Sequence, residues 1–303
     1  MADEIRVGGH TIKVSNADRV VFPASGVTKG ELVEHYARVA NVMLPHLRGR
    51  PVSMQRVRDN INVQVFYQKD TPPYFPDWIR RVEVPKVGGT VTHVLCDDAA
   101  TLVYLANQGV VTPHIWLSRM PTLDKPDRMI IDLDPGDGGV TDARFAAHLA
   151  RELLTEAGLV PYLMATGSKG YHVVVPIKPA ENFEDVRSVS FALSEAMARR
   201  APDRLTTEFY KKERGGGLFL DVNRNAWAQT AVPPYAVRPK EGAPVAVPLA
   251  WDELDAATPD QFNVRTIPDR LEQGDPWDGF ARRARSLDAA RRWLAKAGQA
   301  ERI

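Results

Sequence analysis

Two aspartates one residue apart, Asp132 and Asp134, close the apolar run that begins at Met129. Alternate residues of a β-strand project to the same face. Both carboxylates would therefore point together, while Ile131 and Leu133 would pack the other way. Two like charges held side by side need a cation, and a divalent metal ion is the simplest one. The alternative is a turn at Asp134-Pro135-Gly136 with solvated acids.

A glycine-bearing turn, Thr166-Gly167-Ser168-Lys169-Gly170-Tyr171-His172, follows between two further apolar runs. Glycines let the main chain approach a phosphate closely, and the hydroxyls of Thr166 and Ser168 can donate hydrogen bonds. Lys169 and His172 add charge or a proton. The turn lacks the glycine spacing and the following helix of a Walker A loop. A β-hairpin with a surface lysine and a half-buried histidine is the alternative.

A third carboxylate, Asp221, lies in the apolar run 218–222, directly after the basic, glycine-rich stretch 211–217. An unpaired charge among apolar neighbours is costly, so Asp221 needs a metal ion or a cationic side chain. A salt bridge to Arg224 or Arg238 is the alternative. Together, three strand-borne carboxylates, a phosphate-accepting turn and several cations meet the requirements of nucleotidyl transfer, in which two metal ions activate a 3′ hydroxyl and neutralise pyrophosphate.

The elements that must position these groups are predicted from caps and periodicity. Thr28 and Glu31 form a capping box before apolar residues at helical spacing, which predicts a first helix. Asp98, Thr141 and Asn182 are predicted to cap three more, and a last amphipathic helix starts at Ser286. The predicted strands are 63–67, 111–116, 128–134, 160–165, 171–175 and 218–222.

Proline-rich stretches at 71–76 and 232–248 are predicted to be ordered surface connections. Their anchors would be Tyr74, Phe75, Tyr235 and Trp251. No linker or internal repeat is evident. We therefore predict a single domain over 1–303, with a core at about 10–270 and a C-terminal helical segment at about 277–298.

Bulk composition limits the function classes only weakly. The 303 residues are 44% hydrophobic and carry a net charge of +1, so any basic surface must be local. The single cysteine, Cys96, excludes an intramolecular disulfide and a cysteine-rich zinc site, and is expected to pack in the core. No apolar stretch suggests a signal peptide or a membrane span, so we expect a cytoplasmic protein with no membrane partner.

Asp132-x-Asp134, Ser168-x-Gly170-x-His172 and Asp221 resemble the three motifs of archaeo-eukaryotic primases. Further stretches are similar to the polymerase domain of bacterial DNA ligase D and its stand-alone relatives. They are Asn16-Ala17-Asp18-Arg19, Thr28-Lys29-Gly30, Phe66-Tyr67-Gln68-Lys69, Pro76-Asp77-Trp78, His114-Ile115-Trp116-Leu117-Ser118-Arg119, Pro126-Asp127-Arg128 and Pro234-Tyr235-Ala236-Val237-Arg238-Pro239. The resemblance runs from about residue 10 to 270. It implies an α+β fold of two antiparallel β-sheets flanked by helices, with the active site in the cleft between them.

The resemblance also implies roles for individual residues. Asp132, Asp134 and Asp221 would be the catalytic metal ligands, holding two Mn²⁺ (or Mg²⁺) ions. The residues implied to bind the nucleotide are Phe66 and Tyr67, which would stack on the base, and His114, Thr166, Ser168, Lys169, His172 and Arg238, which would contact its phosphates or sugar. The residues implied to bind DNA are Arg19 and Lys29, at a 5′ phosphate, together with Arg56, Lys69 and Arg214.

Four departures from the family pattern bear on these roles. Arg19 stands where lysine is usual, which keeps the charge and alters its geometry. Tyr67 replaces a frequent phenylalanine and should still stack on a base. Thr166 replaces a common serine and keeps the hydroxyl. The three glycines at 215–217 loosen the loop of Arg214, whose position the family associates with metal binding and end bridging.

The predicted function is a template-directed DNA repair polymerase that adds ribo- or deoxyribonucleotides to 3′ ends at short gaps and double-strand breaks, as in bacterial non-homologous end joining. The resemblance favours ribonucleotides and manganese. The implied partners are gapped or broken DNA with a 5′ phosphate, NTP or dNTP, a Ku-like end-binding protein and a separate DNA ligase, since the sequence has no Lys-x-Asp-Gly ligase motif. The place implied is the bacterial nucleoid. A dedicated primase and a non-catalytic DNA-end-binding module are the alternatives.

Overall fold

A computed structural model describes residues 4–135 and 138–300, without the side chains of 299 and 300. The chain divides into two compact units. The first unit comprises Met1–Trp116, Thr230–Val247 and Asp260–Asp275, and the second comprises Leu117–Gln229, Pro248–Pro259 and Pro276–Ile303. The single domain predicted from the sequence remains a prediction, since a division into compact units does not decide the number of domains.

Helices and strands alternate irregularly along the chain. In order they are β1 (Glu4–Val7), β2 (His10–Lys13), β3 (Val20–Phe22), β4 (Val27–Thr28), α1 (Lys29–Leu47), β5 (Pro51–Val57), β6 (Val65–Gln68), β7 (Arg81–Lys86), β8 (Gly89–Leu95), α2 (Ala99–Asn107), β9 (Val110–Trp116), β10 (Ser118–Arg119), β11 (Thr122–Pro126), β12 (Arg128–Asp134), α3 (Gly139–Glu156), β13 (Tyr162–Ala165), β14 (Tyr171–Pro176), α4 (Phe183–Arg200), β15 (Leu205–Thr206), β16 (Leu218–Asp221), β17 (Thr230–Ala231), β18 (Val247–Leu249), α5 (Ile267–Glu272) and α6 (Asp288–Ala300).

The first unit contains an antiparallel sheet in the order β17-β9-β5-β8-β7, with β6 also paired to β5. Helix α1 supplies much of its core, because Leu32, Tyr36, Val39 and Met43 recur on one helical face and are almost completely buried. The predicted capping box is present: the Thr28 side chain accepts from the Glu31 amide, and the Glu31 carboxylate accepts from the Thr28 amide.

The second unit contains a sheet in the order β15-β16-β12-β14-β13-β18. Strands β16, β12, β14 and β13 are antiparallel, and β15 runs parallel to β16. The inner residues of β12 and β14, among them Ile131, Leu133 and Val173, are fully buried. This packing fixes which face of β12 is left for polar side chains.

Most predicted elements are confirmed, with shifts at their ends. Strand β12 has the predicted bounds, and Asp98 and Asn182 cap α2 and α4 through their side chains. The predicted Thr141 cap is wrong: α3 starts at Gly139, so Thr141 lies inside its first turn. The predicted strand at 160–165 begins only at Tyr162, because Pro161 has no N–H for a ladder.

The anchors predicted for the proline-rich stretches are confirmed in part. Phe75 and Tyr235 are 2% and 1% exposed, whereas Tyr74 is 60% exposed, so its predicted anchoring role is wrong. Trp251 is held by a hydrogen bond of 3.0 Å from its ring N–H to the Pro161 carbonyl. Cys96 is buried as expected. Across 4–135 and 138–300, none of the helices has the length and apolar character needed to span a bilayer.

Candidate functional site

The three predicted carboxylates share one face of the second unit's sheet. Asp132 of β12 is the direct cross-strand partner of Asp221 on β16 and of His172 on β14, and Asp134 is the partner of Phe219. Directly opposed residues of antiparallel strands project to the same side, with Cβ atoms about 4.5–5.5 Å apart. Asp132, Asp134, Asp221, His172 and Phe219 therefore form one surface, called here the carboxylate face.

Asp132 is the most enclosed of the three carboxylates, at 4% exposure. Its two carboxylate oxygens lie 3.4 Å from His172 Nε2 and 3.5 Å from Arg224 Nε. Burial opposes ionisation of Asp132, but the charges of His172 and then Arg224 outweigh it, so the pKa of this carboxyl lies below its ordinary value. Asp132 thus has two internal partners, His172 and Arg224, that favour its charged form.

Asp134, exposed at the end of β12, has the opposite tendency. Partial desolvation and then the negative charge of Asp132 raise its pKa, and Asp221 adds to the rise. The two neighbouring acids therefore differ in how readily they ionise. A cation bound between them would favour the charged form of Asp134. The turn at Asp134-Pro135-Gly136, the alternative considered from the sequence, includes Gly136, which lies outside the described residues.

Asp221 is fixed by the chain that follows it, because its Oδ1 accepts a hydrogen bond of 2.8 Å from the Asn223 amide. Within the described ranges no three acidic, histidine or cysteine side chains are already arranged to hold a metal ion. The residues nevertheless fit such an ion by donor chemistry, since three carboxylates on adjoining strands offer the oxygen ligands that Mg²⁺ and Mn²⁺ prefer.

The turn at 166–172 is braced internally. The Thr166 hydroxyl donates to the Gly170 carbonyl at 2.7 Å, and the Thr166 amide donates to the same oxygen at 3.2 Å. The Gly167 amide donates to Pro259 at 2.8 Å. Two amides predicted to be available to an anion are therefore occupied, whereas the side chain of Lys169 is exposed to solvent and that of Ser168 is half-buried.

Gly170 is required by close approach rather than by backbone angle. A Cβ atom at this position would lie 2.0 Å from the Leu133 carbonyl and 3.1 Å from the Asp134 Cα. The turn therefore packs directly on the end of β12. His172, two residues later, has a buried Nδ1 with no hydrogen-bond partner among residues 4–135 and 138–300, while its Nε2 faces Asp132. A buried ring nitrogen left unpaired suits a group that contacts a ligand.

Arg214 folds back onto the carboxylate face. Its guanidinium lies 4.2 Å from the centroid of the Phe219 ring and donates to the carbonyls of Glu208 and Phe209 at 3.1 and 2.7 Å. Because Phe219 is the partner of Asp134, this cation lies beside the acids. Gly215 and Gly216, at φ +57° and +87°, supply the left-handed turn that returns the chain to β16.

Sequence reasoning missed the positioning role of the segment after β16. Arg224, considered only as a partner for Asp221, pairs with Asp132 instead. Asn225 is fully buried, and its side chain bonds both the N–H and the C=O of Ile130, at 2.8 and 2.7 Å. The spacing of Arg224 three residues after the strand aspartate was the available signal. Nothing in the spacing distinguishes Asn225 from a turn residue.

The predicted base-stacking residues lie in the first unit. Phe66 is half-buried and Tyr67 is 58% exposed on β6. The Tyr67 hydroxyl is 3.4 Å from His114 Nε2, which is also 3.1 Å from Gln55 Oε1. The structure thus brings Tyr67 and His114 together, whereas Phe66, the preceding residue of the strand, projects to the opposite face beside Arg56. Gln55, which sequence reasoning did not single out, fixes the orientation of the His114 ring.

Three further predicted residues of the first unit have mainly internal contacts or none. Arg56 donates to the Gln108 carbonyl and to the Gln68 side chain, and lies 5.9 Å from the Phe66 ring centroid. It therefore supports the strand of the stacking pair. Lys69 is exposed next to that strand. Arg238 is half-buried, and its amide donates to Pro244 at 2.7 Å.

Arg19 and Lys29 form a cationic pair in the first unit. The Lys29 ammonium is buried and donates to the carbonyl and hydroxyl of Ser15 at 2.6 and 2.9 Å. Arg19 donates to the Arg58 carbonyl at 3.0 Å. Burial and then the charge of Arg19 lower the pKa of Lys29 to about 8. In the part of the chain that the structure describes, neither cation has an acidic partner, so the pair is suited to an anion.

Comparison with known proteins identifies the family to which the chain belongs. A family model for the LigD primase-polymerase domain matches residues 28–277. The chain is 33% identical over 287 residues to the multifunctional non-homologous end joining protein LigD of Pseudomonas aeruginosa, covering 93% of this chain and 34% of that protein. It is 30% identical over 275 residues to the bifunctional LigD of Bacillus subtilis, covering 89% and 44%.

Among solved structures, the polymerase domain of Mycobacterium tuberculosis ligase D in complex with DNA matches with a TM-score of 0.84 and 29% identity, covering 90% of this chain and 99% of that chain. The fold and the carboxylate face define a primase-polymerase, a class of nucleotidyltransferase. Within this class, the chain belongs to the LigD primase-polymerase domain family. The predicted resemblance and α+β fold are confirmed. The chain spans about a third of the length of the first relatives.

Proposed function

We propose that this chain is a metal-dependent, template-directed polymerase that adds nucleotides to 3′ ends at short gaps and double-strand breaks. The observation that carries the proposal is the strand register that puts Asp132, Asp134 and Asp221 on one face. The pathway proposed is bacterial non-homologous end joining, because that is the process named for the relatives.

The three aspartates would hold one or two divalent ions, Mn²⁺ or Mg²⁺. Such ions, when bound, lower the pKa of a 3′ hydroxyl and neutralise charge on the departing pyrophosphate. Ser168, Lys169 and His172 would hold the triphosphate beside them. Thr166 would act through the turn, because its hydroxyl hydrogen is committed to Gly170.

Phe66 and Tyr67 would each offer a ring for stacking on a base, from opposite faces of β6, and Tyr67 is the one beside His114. Such stacking tolerates any base. His114, held by Gln55 and Tyr67, would contact the sugar, and Arg238 the phosphates. This arrangement supports discrimination at the sugar, and we propose a preference for ribonucleotides. The support is the fixed orientation of the His114 ring, since a fixed group discriminates better than a rotating one.

DNA would be bound in part through its 5′ phosphate. Arg19 and Lys29 supply two adjacent cations without an acidic partner in the described residues, which a phosphate dianion would neutralise. Lys69, Arg56 and Arg214 would contribute further contacts to DNA. The related M. tuberculosis domain was solved with DNA. A Ku-like end-binding protein and a separate ligase are the proposed partners, and the bacterial nucleoid is the proposed place.

The test is primer extension on a gapped, 5′-phosphorylated duplex with Mn²⁺. We expect extension by the wild type and none by Asp132→Ala with Asp134→Ala. The control replaces two exposed acids of the first unit, Asp77→Ala with Glu83→Ala, and should extend normally. Unchanged extension by the Asp132/Asp134 variant would show that the site is wrongly assigned. DNA binding without extension by the wild type would favour the non-catalytic end-binding module.

A dedicated primase would use the same residues. An unprimed single-stranded template with labelled nucleotide distinguishes it from a gap-filling enzyme. We expect products on the gapped duplex at least about tenfold in excess of those on the unprimed strand, because Arg19 and Lys29 bind a phosphate that only the gapped substrate carries. Equal products on both would favour the primase.

A further inference from the structure

We propose that Phe209 and Tyr210 form a platform on which an unpaired base of a single-stranded DNA end stacks as the strand reaches the carboxylate face. The proposal rests on the proposed function and adds to it a binding site for the unpaired part of a broken end. It concerns the loop between β15 and β16, which we call the aromatic loop, residues 207–217.

The exposure of this pair has no explanation in packing. Phe209 and Tyr210 are both 61% exposed, although large aromatic side chains are usually buried to a much greater extent. Their ring centroids are 5.5 Å apart with an interplanar angle of 84°. Two adjacent aromatic surfaces are therefore presented to solvent on one short segment.

The platform is supported from below. Phe209 contacts Phe219 in an edge-to-face arrangement, with centroids 6.2 Å apart and an angle of 83°. Arg214 lies over Phe219 and donates to the carbonyls of Glu208 and Phe209. Because the backbone before the platform is held by a side chain that is itself packed on a strand, a base would meet a preformed surface and lose less affinity to ordering of the loop.

The support places the platform close to the acids. Phe219 is the cross-strand partner of Asp134, so adding the ring spacing to the cross-strand and side-chain distances puts Phe209 on the order of 10–15 Å from Asp134. Stacked nucleotides rise about 3.4 Å each. A base on the platform would therefore be about three to four nucleotides from a 3′ end positioned at the carboxylate face.

The chemistry of the loop favours nucleic acid over protein. Lys211 and Lys212 are exposed directly after the aromatic pair, and with Arg214 they make three cations against Glu208 and Glu213. A phosphate backbone can follow these lysines while its bases reach the rings. Aromatic stacking has no base preference, which suits broken ends of any sequence. With a net charge of only +1, the loop would act mainly by stacking, and its contribution should depend weakly on salt.

The experiment measures binding of the full chain to two duplexes, one with a four-nucleotide 3′ overhang and one blunt, with no nucleotide present. The test variant is Phe209→Ala with Tyr210→Ala. We expect about tenfold weaker binding of the overhang duplex, the scale of one lost base–aromatic stack, and unchanged binding of the blunt duplex. Replacement of both residues by Trp should restore overhang binding.

Phe191→Ala is the matched control, because Phe191 is an exposed aromatic residue of the same unit, 43% exposed on α4. It should bind both duplexes as the wild type does. A 2-aminopurine base placed at each overhang position in turn should be quenched by the wild type at the third or fourth position. The Ala variant should lose this quenching and keep its circular dichroism spectrum and unfolding temperature.

Three results would overturn the proposal. The first is unchanged overhang binding by the Ala variant, which would indicate that the pair binds a protein partner. The second is an equal loss of affinity for the blunt and the overhang duplex. The third is an equal loss of overhang affinity in the Phe191→Ala control. None of these bears on polymerase activity. Extension of a gapped duplex by the wild type tests the proposed function separately, so the two can fail independently.

Discussion

The carboxylate face and the Arg19/Lys29 pair are both clusters of like charge, but they differ in the groups that surround the charges. Asp132 lies against His172 and Arg224, so part of its charge is already compensated. Lys29 is buried, its ammonium donates to the neutral oxygens of Ser15, and the nearby charge of Arg19 lowers its pKa. On the proposed function, the first cluster would exchange these internal partners for metal ions, while the second would bind a phosphate. The second should therefore be more sensitive to its surroundings.

The largest expected effect is on the carboxylate face. Asp221→Asn keeps the shape of the side chain and removes one negative charge opposite Asp132. We expect primer extension to fall by roughly a hundredfold or more, the scale seen when one preorganised electrostatic group is lost from an active site. Glu195→Gln, a matched change on α4, should have no effect. A loss below about threefold in steady-state extension would show that Asp221 is not a metal ligand.

At the cationic pair, the expected effect is smaller and selective. Lys29→Ala should reduce the preference for a 5′-phosphorylated over an unphosphorylated gap by about tenfold, because it removes a charge-assisted contact of the size expected for a buried ammonium. The preference is measured as the ratio of the two dissociation constants. Equal weakening on both gaps would contradict a phosphate contact and indicate a structural role.

The pH dependence of the same preference sharpens the comparison. Lys29 has its pKa lowered to about 8, so it is protonated below pH 8 and loses its charge as the pH rises above that value. A phosphate is a dianion above about pH 6. The preference should therefore be full near pH 7 and decline above pH 8. Lys29→Arg should retain it to pH 9.5, and an identical decline in both proteins would contradict this assignment.

The smallest expected effect is at His114, the group proposed to contact the sugar. Tyr67→Phe removes the hydroxyl that contacts His114 and keeps the ring that is proposed to stack on a base. We expect a reduction of about two- to fivefold in the ratio of kcat/KM for ribo- over deoxyribonucleotides, in line with loss of one weak hydrogen bond. Nucleotide affinity should change little. A large loss of affinity with no change in this ratio would assign the hydroxyl to base binding.

The sequence was sufficient for features whose physics is local. The capping box of α1 and the strand β12 depend on residues within one short window, and both were predicted correctly. The carboxylate pair followed from strand periodicity. The class of protein followed from the order of the motifs, and the family match confirms it.

Features that depend on partners distant in sequence could not be predicted. Arg224 could have paired with Asp221 or Asp132, and only the register of β12 with β16 and the turn after β16 decide between them. From the sequence, Lys29 could equally be a solvated surface cation at the start of a helix, but the fold buries it. The exposure of Phe209 and Tyr210 could not be predicted, because composition does not show which aromatic residues pack against a sheet.

Asn225 shows how the sheet can be continued without a strand. Beyond Asp221 the backbone leaves the sheet in a short turn, and the amide group of Asn225 returns to bond Ile130 as a neighbouring peptide unit would. The released backbone is then free to direct Arg224 toward Asp132. A side chain that mimics a peptide thus meets two demands, a continued hydrogen-bond ladder and a main chain that turns out of the sheet. Aspartate lacks the donor and leucine lacks both groups, so neither could meet these demands at this position.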